Sequence, residues 1–261
     1  MRGKLCRKIL LFFVRLIFLA GLLIAAFPYI YGVLVDHEIN MEAVSFLESQ
    51  NEQTIPSEPL DSTIPDEPIP EQVTDTPKYP ELRAAMEAYN KEIYEQGQSG
   101  LSCEYNYQQP SFLLSDYGLS SEIFGVISIP AMDLEMPIYL GATNQHMADG
   151  AAHMSQTSLP IGGTNTNCVI AGHRGFSGAS YFRYIEKLQV GDYVTITNLW
   201  EAIRYRVAEI KIIDPYDVEE ILIQEGRELL TLLTCHPYAS GGRQRYVVYC
   251  ERVPSPEQII S

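Results

Sequence analysis

Basic residues are scarce in this chain: 18 Lys and Arg stand against 33 Asp and Glu, for a formal charge of −15. Nucleic-acid recognition needs clustered cations to displace the counterions on phosphate, so the shortage excludes a nucleic-acid surface. There is no CxxC pair, and the five cysteines, Cys6, Cys103, Cys168, Cys235 and Cys250, are an odd number. That excludes a dense disulfide framework and a structural zinc site, and leaves at least one thiol unpaired. Internal repeats are absent too, so 261 residues read as one domain of ordinary size with appendages. His146, Asp149 and His153 come nearest to a metal-binding pattern, but no fourth ligand has suitable spacing and the Gly-Ala-Ala around them reads as a loop. No metal and no cofactor are expected.

What the chain does have is one long apolar run, Ile9 to Val35, broken only by Arg15. It is long enough to cross a bilayer as a helix, with Arg15 snorkelling to the interface. Arg2, Lys4, Arg7 and Lys8 precede it and Asp36 and Glu38 follow, so the positive-inside rule places the N-terminus in the cytoplasm and the remainder outside. A cleaved signal peptide is the competing reading, but the run exceeds a usual h-region and no small-x-small site follows it. Residues 1–36 are therefore read as the anchor of a single-pass protein in the cell membrane.

Composition divides the rest. Residues 37–80 form a stalk rich in proline and acid, with Pro56, Pro59, Pro65, Pro68, Pro70, Pro77 and Pro80, although Asp36 to Gln50 can continue as a helix. Residues 81–121 hold an amphipathic helix over Glu81–Gln96, with Leu82, Met86, Tyr89 and Ile93 on one face, and then a stretch able to cover a site. From 122 to 254 the pattern is mainly β. Strands are expected at Phe124–Pro130, Met136–Leu140, Asn167–Ala171, Tyr193–Asn198, Ile203–Ile213, Leu229–Cys235 and Gln244–Arg252, with helical connections near Tyr181–Lys187 and Asp217–Ile223. Many strands at regular spacing predict a closed or nearly closed barrel. Residues 255–261 are a polar tail.

The chemistry sits at three places. Cys235 ends the run Thr231-Leu232-Leu233-Thr234-Cys235-His236-Pro237-Tyr238; His173 lies in Ala171-Gly172-His173-Arg174-Gly175; Arg245 precedes Tyr246-Val247-Val248. A thiolate attacking a carbonyl needs a proton carrier and a cation where the oxyanion develops, and these residue types supply all three. A hairpin return past Pro237 and Gly241-Gly242 would set Cys235 beside Arg245. Each residue also has a plain reading. A lone Cys is commonly a small buried hydrophobe, a lone His a hydrogen-bonded structural residue, and Arg174 a salt-bridging neighbour.

Together these segments, with Thr157-Ser158-Leu159-Pro160-Ile161-Gly162-Gly163 and Lys187-Leu188-Gln189-Val190-Gly191-Asp192, resemble the class C, pilin-polymerising sortases in order and spacing over Glu122 to Val253. The resemblance implies an eight-stranded sortase barrel outside a Gram-positive cell. It also implies cleavage of an LPxTG-like sorting signal between Thr and Gly, and transfer of the acyl group to a lysine amine of another pilin. In it Cys235 matches the nucleophile, His173 the histidine, and Arg245 the arginine that opens the last strand. Arg243, two residues earlier, is the alternative arginine. The backbone N–H of His236 is an oxyanion candidate, and Thr234 an orienting one. His236 stands where the family often has Thr, and no Asp-Pro-aromatic lid motif occurs between Leu101 and Ile123. Cys103 lies close enough in sequence to that stretch for a silencing disulfide with Cys235 to be considered. The partners implied are sorting signals of pilin or surface proteins, an acceptor lysine and the membrane. A sortase using a cell-wall-precursor amine, a plain cysteine hydrolase and a silent anchored binding module remain as alternatives.

Overall fold

The computed structural model describes residues 2–52, 78–101 and 108–254. The expected stalk between 53 and 77, Cys103 and the tail from 255 lie outside the described residues. Eight strands close into a barrel: β1 Ile123–Ile129, β2 Leu134–Leu140, β3 Ala151–His153, β4 Thr166–Ala171, β5 Tyr193–Asn198, β6 Ala202–Ile213, β7 Glu228–His236 and β8 Gln244–Arg252. Around the barrel the order is β1-β2-β3-β4-β7-β8-β6-β5. The pairs β2/β3 and β4/β7 are parallel and the others antiparallel.

Side-chain alternation makes the closure favourable. In β6, Ile203, Tyr205 and Val207 face inward while Arg204 and Arg206 face solvent, the period-two pattern of a strand with one wet face. β4 is buried along its whole length. Its Cys168 and Ile170 belong to the barrel interior, while Val169 and Ala171 belong to an outer apolar cluster with Leu101, Met154, Ile213 and Val247. Such near-continuous apolarity suits a strand covered on both faces and paired in parallel. Seven strands match their sequence-based expectation within two residues at each end, whereas β3, expected to be loop, is a strand. Its three residues Ala-Ala-His carry no periodicity; pairing with β2 and β4 makes it a strand.

The first helix, α1 Arg2–Glu52, passes through Pro28 without ending. The N-terminal apolar part is long and hydrophobic enough to cross a membrane, with a mean hydropathy of 2.7, and none of that window is buried. Residues 37–52, grouped with the stalk by composition, are its helical continuation. There Ile39, Ala43 and Phe46 recur at helical spacing and are buried against the barrel. The second helix, α2 Pro80–Glu95, buries Leu82, Met86, Asn90 and Ile93. Asn90 is the polar exception: its Oδ1 accepts from the Leu159 amide at 2.7 Å, pinning α2 to the loop before β4. Tyr89, expected on the apolar face, is half-buried and uses its hydroxyl toward Ser111 and the Gln156 amide. A third, short helix, α3 Asn144–Asp149, is capped by Thr143, whose Oγ1 accepts from the His146 amide.

Candidate active site

Three strand ends meet at one end of the barrel. β7 and β8 pair with Cys235 directly opposite Arg245 and Thr234 opposite Tyr246. Residues directly opposite in an antiparallel pair project to the same face, so the thiol and the guanidinium share one side of the sheet. β4 runs parallel to β7 with Ala171 level with Leu233, and the chain leaves β4 through Gly172 into His173. The Gly172 amide donates to the Leu233 carbonyl at 3.1 Å, and the Thr234 hydroxyl donates to the Gly172 carbonyl at 2.6 Å. Thr234 therefore ties the residue before Cys235 to the residue before His173.

A cavity of about 330 Å³ opens there, lined at its polar end by His173, Thr234, Cys235 and Arg245. Its walls are mostly apolar, from Met147, Met154, Ile213, Val218, Ile221 and Leu233; Asp217 is the one carboxylate among the lining residues. Arg245 Nη1 donates to the Gly242 carbonyl at 2.8 Å and to the Gln244 carbonyl at 3.2 Å. Among the described residues no carboxylate forms an ion pair with it. A guanidinium bonded only to carbonyl oxygens keeps its full charge for whatever enters.

Gly242 was read from sequence only as a turn residue, and it does more. It has φ of +78°, and a Cβ built on it would lie 3.2 Å from Cys235 Sγ and 3.1 Å from Arg245 Nη1. Only a glycine lets this backbone take a left-handed conformation and still pass so close over both groups. The Gly-Gly pair just ahead of Arg245 was the signal available.

His173 is half-buried, its ring stacked on Phe176 at 4.7 Å and met edge-on by Tyr181 at 5.8 Å. Burial lowers its pKa below the usual imidazole value, so the neutral form dominates at pH 7. Arg243 and the His236 side chain do not line the cavity. His236 packs on Tyr246 at 5.6 Å with Nδ1 3.5 Å from Glu186 Oε1, and Glu186 also receives Arg174 Nη2 at 2.7 Å. Arg174 is thus the salt-bridging neighbour its sequence context suggested.

The histidines weighed as metal ligands are turned elsewhere. His146 Nδ1 meets the Gly141 carbonyl at 2.8 Å, and the buried His153 places Nε2 3.0 Å from the Ser158 carbonyl. Cys168 and Cys250 are free and buried, and burial pushes both thiols well above their ordinary pKa. Of the stretch expected to cover the site, residues 102–107 lie outside the described residues. Leu101 lines the cavity, while Phe112 and Leu114 pack on the other side of β2, in the cluster with α2.

Comparison with known proteins bears on the family and the fold. A family model described as a sortase domain matches residues 127–253. "Sortase D" of Bacillus subtilis is 30% identical over 131 residues, covering 49% of this chain and 63% of that protein. The chain spans 52–63% of the length of the curated relatives it matches first. Among solved structures, "Sortase C1 of GBS Pilus Island 1" superposes with a TM-score of 0.62 at 30% identity, covering 68% of this chain and 89% of that one. Sortase C-1 from Actinomyces oris gives a TM-score of 0.57 at 29% identity, covering 68% and 98%.

Proposed function

This chain belongs to the sortase family, and on that premise we propose that it is a membrane-anchored cysteine transpeptidase joining a cleaved sorting signal to a pilin lysine. The observation that carries the reading is the Cys235–Arg245 strand pair at the polar end of an apolar cavity that His173 also lines. An LPxTG-like segment would lay its Leu and Pro side chains along Ile213, Val218 and Ile221 and present its Thr carbonyl carbon to Sγ. Arg245 faces the developing oxyanion, where a fixed cation stabilises charge that exists only in the transition state.

The proton balance follows from the lowered His173 pKa. His173 starts neutral and takes the Cys235 thiol proton as the S–C bond forms. It gives that proton to the glycine amine as the C–N bond breaks, leaving a thioester. In the second half the neutral lysine Nζ attacks the thioester, His173 takes the proton it sheds, and as the C–S bond breaks His173 returns that proton to the Cys235 sulfur, regenerating the thiol. The apolar run of α1 serves as the anchor, and the class C likeness of the solved neighbours, one titled for a pilus island, supports a pilin as substrate. The apolar run as anchor, 37–52 as a helix packed on the barrel, the proline-rich stretch up to 80 as spacer, 81–121 as support and 122–254 as catalytic barrel complete the reading.

The test is intact mass of the full chain in detergent micelles after incubation with an LPxTG-type peptide, beside Cys235→Ala. A thioacyl adduct on the wild type that is missing from the variant, and that a lysine peptide discharges, is the expected result. An adduct that persists in Cys235→Ala, or none on the wild type under reducing conditions, sinks the proposal. Discharge by a wall-precursor amine and not by lysine would move the enzyme to wall anchoring.

A further inference from the structure

α1 does more than pass the barrel on its way out of the apolar run. Gly32, Asp36, Ile39 and Ala43 follow one another at three- and four-residue spacing and lie on one face of the helix. Gly32 and Ile39 are buried and Asp36 is half-buried, while Val33, Leu34 and Met41 on the other faces stay exposed. Along the N-terminal part of this stripe the helix meets the loop that follows β4, the loop that carries His173. Asp36 Oδ1 accepts from the Ser180 amide at 2.7 Å and Oδ2 from the Ser180 hydroxyl at 3.0 Å, so both carboxylate oxygens are spent on one residue. One turn earlier the contact is backbone on backbone. A Cβ on Gly32 would overlap the Gly178 carbonyl, and one on Gly178, at φ of +90°, would overlap the Pro28 carbonyl.

The clamped stretch is the one that grips the imidazole. Phe176 stacks on His173 from one end of it and Tyr181 meets the ring edge-on from the other, while the Phe182 amide donates to the His173 carbonyl at 2.9 Å. Two of its residues that are not glycine hold left-handed backbone, Ser177 at φ of 50° and Tyr181 at 41°. Such conformations persist only where the surroundings impose them, the more so for a residue as bulky as Tyr. Tyr181 is tied by its hydroxyl to the Ala148 carbonyl at 2.6 Å, and the chain just before it is tied to α1.

We propose that α1 is a working part of the catalytic centre: Asp36, acting through Ser180, is a positioning residue that holds Phe176 and Tyr181 around the imidazole of His173. This rests on His173 being the proton carrier of the reaction proposed above. Because no residue of α1 lines the cavity, the clamp acts on turnover and leaves the binding of the peptide alone.

The experiment uses the full chain in micelles, with Asp36→Ala, Asp36→Asn, Ser180→Ala and the Asp36→Ala/Ser180→Ala double variant, reading kcat and KM together with hydrogen exchange by residue. Asp36→Ala is expected to lower kcat about tenfold or more with KM within about twofold, since small misplacements of a catalytic group are costly. Exchange at 174–182 should quicken about tenfold while β7 and β8 keep their protection, which separates loosening from unfolding. Asp36→Asn should recover most of kcat, since its Oδ1 still accepts from the Ser180 amide and its Nδ2 can donate to the hydroxyl. The double variant should be no worse than Asp36→Ala. A fall in kcat matched by a rise in KM, additive single losses, or unchanged exchange at Ser180 would overturn the clamp. If the wild type forms no thioacyl adduct, it is the functional reading that fails; exchange alone then decides the clamp, and unchanged protection in Asp36→Ala refutes it.

Discussion

The two ends of β4, β7 and β8 carry similar residues and differ in what those residues are free to do. At the end away from Cys235, Arg83, Arg252, Glu201 and Glu228 line a groove of about 770 Å³, more than twice the volume of the cavity at Cys235. The strands themselves set the distance: Glu228 and Cys235 begin and nearly end β7, Arg252 and Arg245 end and nearly begin β8, so the sites lie about 23 Å apart at the usual rise per residue. In the large groove charges are matched. Arg83 meets Glu87 and Glu201 at 3.1 Å, and Arg252 lies 3.6 Å from Glu228. Among the described residues, Arg245 in the small cavity has only carbonyl partners, and it stands beside a thiol. Volume and charge density do not single out the end proposed to react; a cation with no carboxylate partner among the described residues, set beside a thiol, does.

Exchanging the roles of the two arginines is the strongest way to break that comparison. Arg245→Ala should cut kcat/KM by about 10²–10³-fold, the scale of losing a preorganised oxyanion partner, and leave the unfolding midpoint little changed. Arg252→Ala should do the reverse. It leaves Glu228 partly buried without its cation, costing about 1–3 kcal/mol in denaturant unfolding, with turnover within about twofold of wild type. If Arg252→Ala also abolished turnover, the ends would not be functionally distinct.

Sequence reasoning pointed to the end proposed to react more readily than to the matched one. Cys235, His173 and Arg245 stand in short segments whose residue types state their chemistry, and the hairpin return put two of them together. β6 was legible because its alternation is strict. What stayed hidden depends on contacts distant in sequence. Nothing local in Ala-Ala-His calls for a strand, and nothing in Gly32 or Asp36 says that a loop almost 150 residues away will rest on them. Gly242 looked like a turn glycine because its second role, passing over Sγ, exists only once β7 and β8 are paired.

A group at neither end sharpens the comparison through pH. His153 is fully buried in β3, and burial holds its pKa down at about 4 against an ordinary 6.5. Between those values the unfolded chain binds the proton and the folded chain does not, so stability is whole above pH 6.5 and falls as pH drops toward 4. The loss amounts to about 3 kcal/mol from the size of that shift. His173, lowered for the same reason but half-buried, adds a slope of the same sign. Urea midpoints from pH 7 to 4 should follow this course, and His153→Gln should flatten most of it. A slope that His153→Gln leaves intact would assign it to other groups.

The smallest effects expected come from the two thiols that resemble Cys235 only in kind. Cys250 lies one strand away on β8 and Cys168 on β4, both facing the barrel interior, and burial keeps both protonated. A thiol held far above its ordinary pKa is a packing group, so Cys250→Ala and Cys168→Ala should each cost about 1 kcal/mol of stability, the loss of one well-packed atom, with turnover unchanged. In the native chain iodoacetamide should modify Cys235 and reach the other two only as fast as the barrel opens, a contrast that disappears in denaturant. Equal native labelling of Cys235 and Cys250 would mean that exposure at the end of the strand pair does not separate a nucleophile from a filler. The same measurement on Arg245→Ala then isolates the cation: if Cys235 labels more slowly while Cys168 and Cys250 are unaffected, the guanidinium is what favours reaction at that end of the barrel.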